Sequence, residues 1–338
     1  MYQYNRGYQL TINDRETGTL YTLDGSIGDD GLRVKFEIQK NVDNRAATNT
    51  ASLKVYNLSQ ETLSKLSQKE LACQVVLKVG YNGNLVEILV GDVLQIQTNQ
   101  DGSELETEFV IYEGFAALNA AKISKTYPEN TKIQDVITDL ADNHNIPIKS
   151  ISGDNSLKTL AYGFPAFGTF KQILDEMCYA NDLEWDIGNG QLTVKDKRGR
   201  TPDATAETAV ILNKDSGLIG IPQLNYEKVS TSVDVPLQSN EERITPLEKV
   251  NKKGNVVKAK TLKKIRFNVE CKALLNPNCK PNSLIKLEST KVPSLSKDKA
   301  NYYRIRTIKY SGDTRGSEWY MTIWCDNVED FNGRYIRE

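Results

Sequence analysis

Alternation of apolar and polar residues predicts β-structure in the first and last thirds of the chain. Residues 32–38 alternate without interruption, and residues 51–56 do so nearly as well. Because successive side chains of a strand point to opposite faces, one face of each strand is expected in a core and the other in water. A short helix is expected after Ser59, whose side chain suits an N-cap. Further strands are expected at 75–80, 85–90, 93–97, 105–112, 265–271, 284–288, 302–310 and 318–325.

The middle of the chain changes to a helical period. In residues 133–141 and 170–177, apolar side chains recur at intervals of three and four positions, which places them on one helical face. The motifs TKIQ, beginning at Thr131, and TFKQ, beginning at Thr169, are typical of a capping box at a helix start. The GNG at 188–190 lies between two short alternating runs and predicts a hairpin turn. These features predict a small α/β domain.

The two β-rich ends of the chain resemble each other. VKFEI, beginning at Val34, matches IRFNV, beginning at Ile265. Later in each part, the tripeptide GSE at Gly102 and again at Gly316 opens another alternating strand. Two similar β modules joined by an α/β domain suit a ring in which each chain fills two places.

The composition excludes several classes of protein. The chain has 338 residues and is 39% hydrophobic, which is enough for two or three domains with buried cores. Lys and Arg number 43 and Asp and Glu 44, a balance that argues against binding nucleic acid over the whole surface. No apolar run approaches the ~20 residues needed to cross a bilayer, and the N-terminus has no apolar signal core. We therefore expect a soluble protein that folds in a cytoplasm.

The cysteines and the single histidine offer little chemistry. The five cysteines contain no Cys-x-x-Cys pair, and most lie in apolar segments, which favours reduced, buried thiols over a zinc site. His144 directly follows a helical pattern, a position where the helix dipole favours histidine. With one histidine, any catalytic triad would have to use His144. We expect neither a metal site nor a cofactor.

Four acidic residues surround Trp185 and raise the question of a catalytic site. They are Asp175, Glu176, Glu184 and Asp186. A glycosidase uses two carboxyl groups about 5–10 Å apart, and two acids at positions i and i+2 of a strand can meet that distance. However, Asp175 and Glu176 are expected on the polar face of a helix, and Glu184 and Asp186 on a strand face opposite Trp185. The favoured interpretation is that all four acids face solvent.

One run of basic residues is a candidate contact for an anionic partner, including nucleic acid passing nearby. No acidic residue occurs in 249–266, and no aromatic residue is interleaved with the lysines, which weakens a role in binding single strands. The alternative is a solvated loop or hairpin before the strand at Ile265, and this is the favoured interpretation. The candidate residues are Lys249, Lys252, Lys253, Lys258, Lys260, Lys263 and Lys264.

Longer stretches occur in an order and spacing that resemble the baseplate hub proteins of contractile-tailed bacteriophages, a family with tail-tube-like domains. They cover nearly the whole chain and are VKFEIQKN, NTASLKVYNLS, VVLKVGYNGNLVEILVGDVLQI, FVIYEGFAAL, DLEWDIGNGQLTV, SGLIGIPQ, ALLNPNCKPNSLIKLES and YYRIRTIKYSGDTRGSEWYMTIWC. The resemblance implies an α+β, mainly β fold, in which two tail-tube-like antiparallel β-barrel domains flank a small α/β domain.

The resemblance implies four segments along the chain. They are 1–119 for the first barrel, 120–197 for the α/β domain, 198–228 for a linker or return segment, and 229–338 for the second barrel with a lysine-rich insertion at 229–264. Residues 209–223 are a segment that can return to complete the first barrel.

The resemblance also implies a role and a set of partners. The chain is expected to be a structural virion protein, a homotrimeric hub whose pseudo-sixfold ring joins the sixfold tail tube to the trimeric spike of a contractile injection system. Expected partners are the spike, tail tube, tape-measure and baseplate wedge proteins, with DNA present only in transit during genome ejection. Its expected place is the tail baseplate of the virion, after assembly in the host cytoplasm, and no enzymatic activity is expected.

Two other hypotheses belong to different functional classes. Paired helices with short strands at 120–197 also resemble LysM-type modules, which makes a cell-wall binding module, for peptidoglycan or sugar, the alternative. An acid-pair hydrolase that uses Glu184 or Asp186 is the third hypothesis.

Overall fold

The computed structural model describes residues 5–25, 31–45, 48–66, 72–119, 122–197, 199, 201, 204–205, 207–229, 249–250, 256–257, 264–289 and 302–327. In the first third, the strands and helices are β1 (Arg6–Asp14), β2 (Thr19–Asp24), β3 (Val34–Asn41), β4 (Thr50–Tyr56), α1 (Gln60–Leu66), β5 (Cys73–Tyr81), β6 (Asn84–Asp101), β7 (Glu104–Tyr112) and α2 (Phe115–Leu118). The two strands expected at 85–90 and 93–97 form a single long strand, β6.

The middle and final parts contain the remaining elements. They are β8 (Ile123–Tyr127), α3 (Ile133–Asn143), β9 (Ile148–Ile151), β10 (Phe164–Gly168), α4 (Phe170–Ala180), β11 (Leu183–Gly188), β12 (Gln191–Asp196), β13 (Val210–Leu212), β14 (Leu218–Val229), β15 (Lys249–Val250), β16 (Val256–Val257), β17 (Lys264–Leu274), β18 (Leu284–Leu287), β19 (Tyr302–Asp313) and β20 (Trp319–Asn327). No helix among the described residues is long and apolar enough to span a membrane.

A 13-stranded sheet dominates the structure, which confirms the mainly β fold class. Its main order is β14-β17-β20-β19-β3-β4-β7-β6-β5-β1-β2; β18 also pairs with β19, and β13 with β18. The pairs are antiparallel except β13 with β18. The two β-rich ends of the chain meet where β3 pairs with β19, with Ile38 opposite Tyr310. Both ends therefore belong to one sheet, and their apolar faces form one core.

The middle unit, residues 122–197, packs around a separate core that also includes Leu118 of α2. Its helices α3 and α4 bury the predicted apolar faces, and short strands form a two-stranded sheet, β8 with β10, and a three-stranded sheet, β11-β12-β9. The β11–β12 hairpin turns at Asn189 and Gly190, whose φ angles of 51° and 74° lie in the left-handed region. Asn-Gly tolerates that backbone better than other pairs, which explains why the predicted turn forms here.

The segment after the middle unit pairs with the C-terminal strands. β13 lies beside β18, and β14 lies beside β17. The suggested return of residues 209–223 to the N-terminal strands has no counterpart among these pairings, because the backbone groups of both segments bond to β17 and β18 instead. The domain boundaries proposed from the sequence remain predictions.

The helix caps agree with the sequence motifs in two of three cases. The Thr62 amide donates to Ser59 Oγ over 3.1 Å, and Thr169 forms the full capping box of α4. The capping box proposed at Thr131 is wrong, since the N-cap of α3 is Lys132 and the Thr131 hydroxyl donates to the Pro128 carbonyl over 2.7 Å. His144 is the C-cap residue of α3, as its sequence position indicated.

Candidate functional site

The two β segments of the sheet repeat one strand path. In the first segment, neighbouring strands follow the order β3-β4-β7-β6-β5, and in the second the order β14-β17-β20-β19-β18. Each path is antiparallel throughout. The hairpins β6–β7 and β19–β20 also share an irregularity at corresponding places, between Val93 and Gln95 and between Ile305 and Thr307. An inserted residue at the same point of two hairpins strengthens the case for a duplicated module.

The strand path corrects the first of the two sequence matches. The sequence matched β3 with β17, but the pairing order makes β4 the counterpart of β17 and β3 the counterpart of β14. The second match, of β7 with β20, agrees with the path. The strand registers, counted from the shared irregularity, relate residues of the first repeat to residues of the second. Five equivalent pairs are Ile38 with Leu224, Ala51 with Val269, Val75 with Ile285, Val93 with Ile305, and Ile111 with Cys325.

Charged side chains reinforce the contact between β3 and β19. Lys309 Nζ lies 2.8 Å from Glu37 Oε2, on the solvent-facing side of the sheet. At the end of the pair, the Arg33 guanidinium donates to both oxygens of Asp313, over 3.2 and 2.8 Å. Burial raises the pKa of Asp313, but the bonds from Arg33, together with those from the Arg315 and Gly316 amides, overcome it and leave the pKa below its usual value. The junction between the repeats thus combines main-chain pairing with charge pairs.

The acids on β11 are buried, which corrects the expectation that they face solvent. Trp185 points into the core of the middle unit, as alternation predicted. Glu184 and Asp186 do share the opposite face of the strand, but they are only 1% and 7% exposed. That face is covered by Arg306 of β19 and by Asn282 in the turn before β18, which reach the two carboxyl groups. A sequence pattern identifies the face of a strand but not what covers it.

A cluster of opposite charges surrounds Glu184. Lys195, the cross-strand neighbour on β12, donates to Glu184 Oε2. Arg306 Nη1 lies 3.7 Å from Glu184 Oε1 and 3.2 Å from Asp326 Oδ2, so the cluster joins the hairpin to β19 and β20. Burial raises the pKa of Glu184, but Lys195 and Arg306 more than compensate and hold it below its usual value. Burial and the nearby Arg304 lower the pKa of Lys195.

Asp186 occupies a different environment. Its Oδ1 accepts a hydrogen bond of 3.3 Å from Asn282 Nδ2. Burial raises the pKa of Asp186 to about 7, with Glu113 adding to the rise and Lys195 opposing it. A carboxyl group with this pKa changes its protonation state near neutral pH.

The hairpin turn is bound to the first β repeat through Glu113. The Glu113 carboxylate is fully buried and accepts from Lys40 Nζ over 2.7 Å, from Asn49 Nδ2 over 2.9 Å and from the Asn189 amide over 3.3 Å. Asn49 also donates to the Ile187 carbonyl over 2.8 Å. We call the buried polar contacts of Glu113, Glu184 and Asp186 the polar seam. It holds one hairpin against both β repeats.

The four acids around Trp185 do not converge on a common point. Asp175 accepts from the Trp185 indole nitrogen over 2.9 Å and from Lys171 over 2.7 Å, on the helix side of the strand. Glu176 is exposed on α4. Glu184 and Asp186 lie on the other side of β11, facing the sheet. The arrangement fastens elements together through charge pairs and hydrogen bonds.

The lysine run is described only at its ends. Lys249 opens the two-residue strand β15, which pairs with β16, and Lys264 opens β17. Lys252, Lys253, Lys258, Lys260 and Lys263 lie outside the described residues. The proposed contact patch therefore stays a prediction.

Comparison with known proteins identifies the fold. No family model matches the chain, and no curated protein matches it by sequence. Among solved structures, the 43 kDa tail protein of prophage MuSo2 from Shewanella oneidensis matches with a TM-score of 0.57 and 12% identity, over 99% of this chain and 100% of that one. The tail protein from Neisseria meningitidis MC58 matches with a TM-score of 0.54 and 10% identity, over 98% and 100%.

A third match comes from a secretion system. The E. coli c3393 protein, described as a type VI secretion component similar in structure to the T4 bacteriophage tail proteins gp27 and gp5, has a TM-score of 0.57 and 10% identity, over 90% of this chain and 76% of that one. At these identities the likeness concerns the fold. The chain has the fold of phage tail proteins and of a related secretion component, which confirms the resemblance drawn from the sequence at the level of architecture.

Proposed function

We propose that the chain is a structural hub of a phage-type tail baseplate. Three copies close a pseudo-sixfold ring that joins a sixfold tail tube to a trimeric spike. The observation that carries this proposal is the repeated strand path within one chain, whose two copies already join edge to edge through β3 and β19. A chain with two equivalent modules can fill two of six places in a ring, and this is the simplest way to match a sixfold object to a threefold one.

The proposed partners are the spike, the tail tube, the tape-measure protein and the baseplate wedge proteins, in a virion assembled in the host cytoplasm. The fold neighbours support this choice, since they include phage tail proteins and a VgrG complex from Francisella. DNA is proposed only in transit. Two charge pairs on the solvent-facing side of the sheet support that restriction, Lys54 with Glu106 over 2.6 Å and Lys309 with Glu37 over 2.8 Å, because paired lysines attract phosphates less. The role is structural rather than catalytic.

The mass of the particle in solution tests the proposal. Native mass spectrometry and negative-stain electron microscopy of the purified chain, alone and with a trimeric tail-spike protein, should give a particle of three times the 37.9 kDa chain mass and a ring in projection. A species that stays monomeric at high concentration, with no ring even in the presence of the spike, would overturn the proposal.

A cell-wall binding role for the middle unit is the second candidate. Three large aromatic side chains among the described residues of this unit are exposed, Tyr162 at 83%, Phe167 at 73% and Tyr179 at 72%. Aromatic side chains offer a large apolar area for contact with a partner, and the tyrosine hydroxyl adds a hydrogen-bonding group. Sedimentation with purified peptidoglycan tests this role. Binding that is lost in the Tyr162→Ala and Phe167→Ala variants would support it, whereas the hub proposal requires no such binding.

A further inference from the structure

We propose that β14 of one copy pairs, antiparallel, with the second half of β6 in the next copy, with Gln223 opposite Asn99. The partner of this surface is therefore a second copy of the same chain. This inference rests on the proposed ring. It assigns the contact between neighbouring chains to the edges of β14 and β6, paired in a single register.

The repeat inside the chain supplies the template. Within one chain, β3 of the first repeat pairs with residues 307–313 of β19 in the second. By the strand path, β14 is the counterpart of β3 and β6 is the counterpart of β19. If neighbouring modules around a ring repeat one contact, the second repeat must present β14 to β6 of the next chain. A head-to-tail contact of this kind uses two different surfaces and closes into a ring when the rotation allows it.

Both edges are available among the described residues. Residues 223–229 of β14 pair with β17 on one side, and the sheet order ends at β14. Residues 97–101 of β6 pair with β7, while the pairing of β6 with β5 ends at Asp92. The template strand β3, in contrast, has a neighbour on each side, β4 and β19.

Equivalent residues of β19 and β6 differ in exposed fraction, as expected if β3 covers β19 and no strand covers this part of β6 in the single chain. Tyr310 of β19 is 1% exposed beneath the β3 junction, whereas its counterpart on β6, Thr98, is exposed. Asn99 and Gln100 are exposed as well. A strand edge that must avoid other chains usually carries lysine, proline or a charge directed inward. Residues 97–100 read Gln-Thr-Asn-Gln and carry none of these, so this edge has no chemical protection against pairing.

The register follows from the template. Glu37 lies opposite Ser311 in the junction between β3 and β19. The equivalent of Glu37 is Gln223, one position before Leu224, and the equivalent of Ser311 on β6 is Asn99. Gln223 and Asn99 are both exposed in the single chain, and they carry amide side chains that can hydrogen-bond across a strand pair.

Disulfide cross-linking between two differently marked chains tests the register. One chain carries Asn99→Cys and the other Gln223→Cys; the two are mixed, allowed to assemble and oxidised mildly. A band of twice the chain mass is expected on a non-reducing gel, and it is expected only from the mixture. The control pairs Gln95→Cys with Gln223→Cys. It moves one thiol four residues along β6, about 13 Å, which is beyond the ~4 Å Cβ separation of a disulfide.

The wild-type background suits this experiment, because all five cysteines are buried. A ring by mass without the Asn99–Gln223 cross-link, or with a stronger cross-link from Gln95, overturns the register and leaves the proposed ring intact. A wild-type chain that never forms a ring overturns both.

If a cysteine variant itself blocks assembly, hydrogen exchange on the wild-type protein decides. Ring formation should slow exchange of the backbone amides in 97–101 and 223–227 relative to the dissociated chain. Unchanged exchange in both segments would overturn the pairing.

Discussion

Replacing Asp186 with asparagine tests whether the polar seam contains a carboxyl group that is protonated in the folded protein. Asp186 is 7% exposed, and burial raises its pKa from 3.8 to about 7. Asparagine keeps the size of the side chain and removes the ionisation. The variant should therefore preserve packing and the contact with Asn282 while changing how stability responds to pH.

The sign and size follow from the raised pKa. The unfolded chain releases this proton near its ordinary pKa of 3.8, whereas the folded chain keeps it until pH rises through about 7. The stability that comes from this group is present below pH 4 and lost as pH rises to 7. Three pKa units at about 1.4 kcal/mol each give about 4 kcal/mol. Relative to the variant, the wild type should lose up to about that much free energy of unfolding across the interval.

Urea unfolding followed by tryptophan fluorescence measures this difference, since Trp185 lies on the same strand. Wild type and Asp186→Asn are compared from about pH 4 to about pH 8, with Asp142→Asn, an exposed carboxyl on α3, as the matched control. The Asp186→Asn variant should gain on the wild type steadily as pH rises, while the control should run parallel to it. Parallel profiles for Asp186→Asn and wild type would refute the raised pKa and the protonated seam.

Three further changes should have separate effects on the free energy of unfolding. Glu184→Gln leaves the buried Lys195 without its charge partner and should lower the free energy of unfolding by about 3–5 kcal/mol. The double variant Glu184→Gln with Lys195→Met should lower it clearly less. Equal losses in the single and the double variant would contradict the pairing. Thr169→Ala should lower the free energy of unfolding by about 1 kcal/mol through loss of the α4 cap. Thr131→Ala should lower it less, because the Thr131 hydroxyl bonds the Pro128 carbonyl. A larger loss for Thr131→Ala in thermal unfolding would mean that Thr131 caps α3. Asn49→Ala removes the amide that donates to Glu113 Oε2 and to the Ile187 carbonyl and should cost about 2–3 kcal/mol; a stability within error of wild type would mean that water replaces the amide.

Strands and helices were predictable because their signals are local. An alternating run such as 34–38 reports that one face is buried, and the spacing in α3 and α4 reports one apolar stripe. The capping box at Thr169 formed as read, but TKIQ at Thr131 did not, because α3 begins one residue later than the motif indicates. Alternation has no register of its own, so any two alternating strands match. This is why the sequence paired β3 with β17, whereas the GSE turn before β7 and β20 gave the correct match.

The polar seam could not be predicted from the hairpin sequence. Glu184 and Asp186 alternate with Leu183, Trp185 and Ile187, which is the pattern of a strand with one wet face. What covers the polar face comes from β19 and from the segment before β18, far along the chain, and no local pattern reports such partners. One local signal was present: Lys195 stands directly across from Glu184 in the register that the Asn-Gly turn imposes. A charge pair across a hairpin marks a face that can be buried.

The position of the seam explains which contacts of the proposed ring are fixed within one chain and which form between chains. Lys40, at the end of β3, bonds both Glu113 and the hairpin residue Asn189, over 2.7 and 2.5 Å, while Arg306 of β19 reaches Glu184. The hairpin therefore braces the two strands that join the repeats. Directional bonds specify one orientation where an apolar contact would allow several, and burying these charges would otherwise be costly. Among the described residues there is one middle unit for two repeats, so no second hairpin braces β14 as this hairpin braces β3. We infer that the junction within the chain is set by folding, whereas the proposed junction between chains forms at assembly through strand pairing.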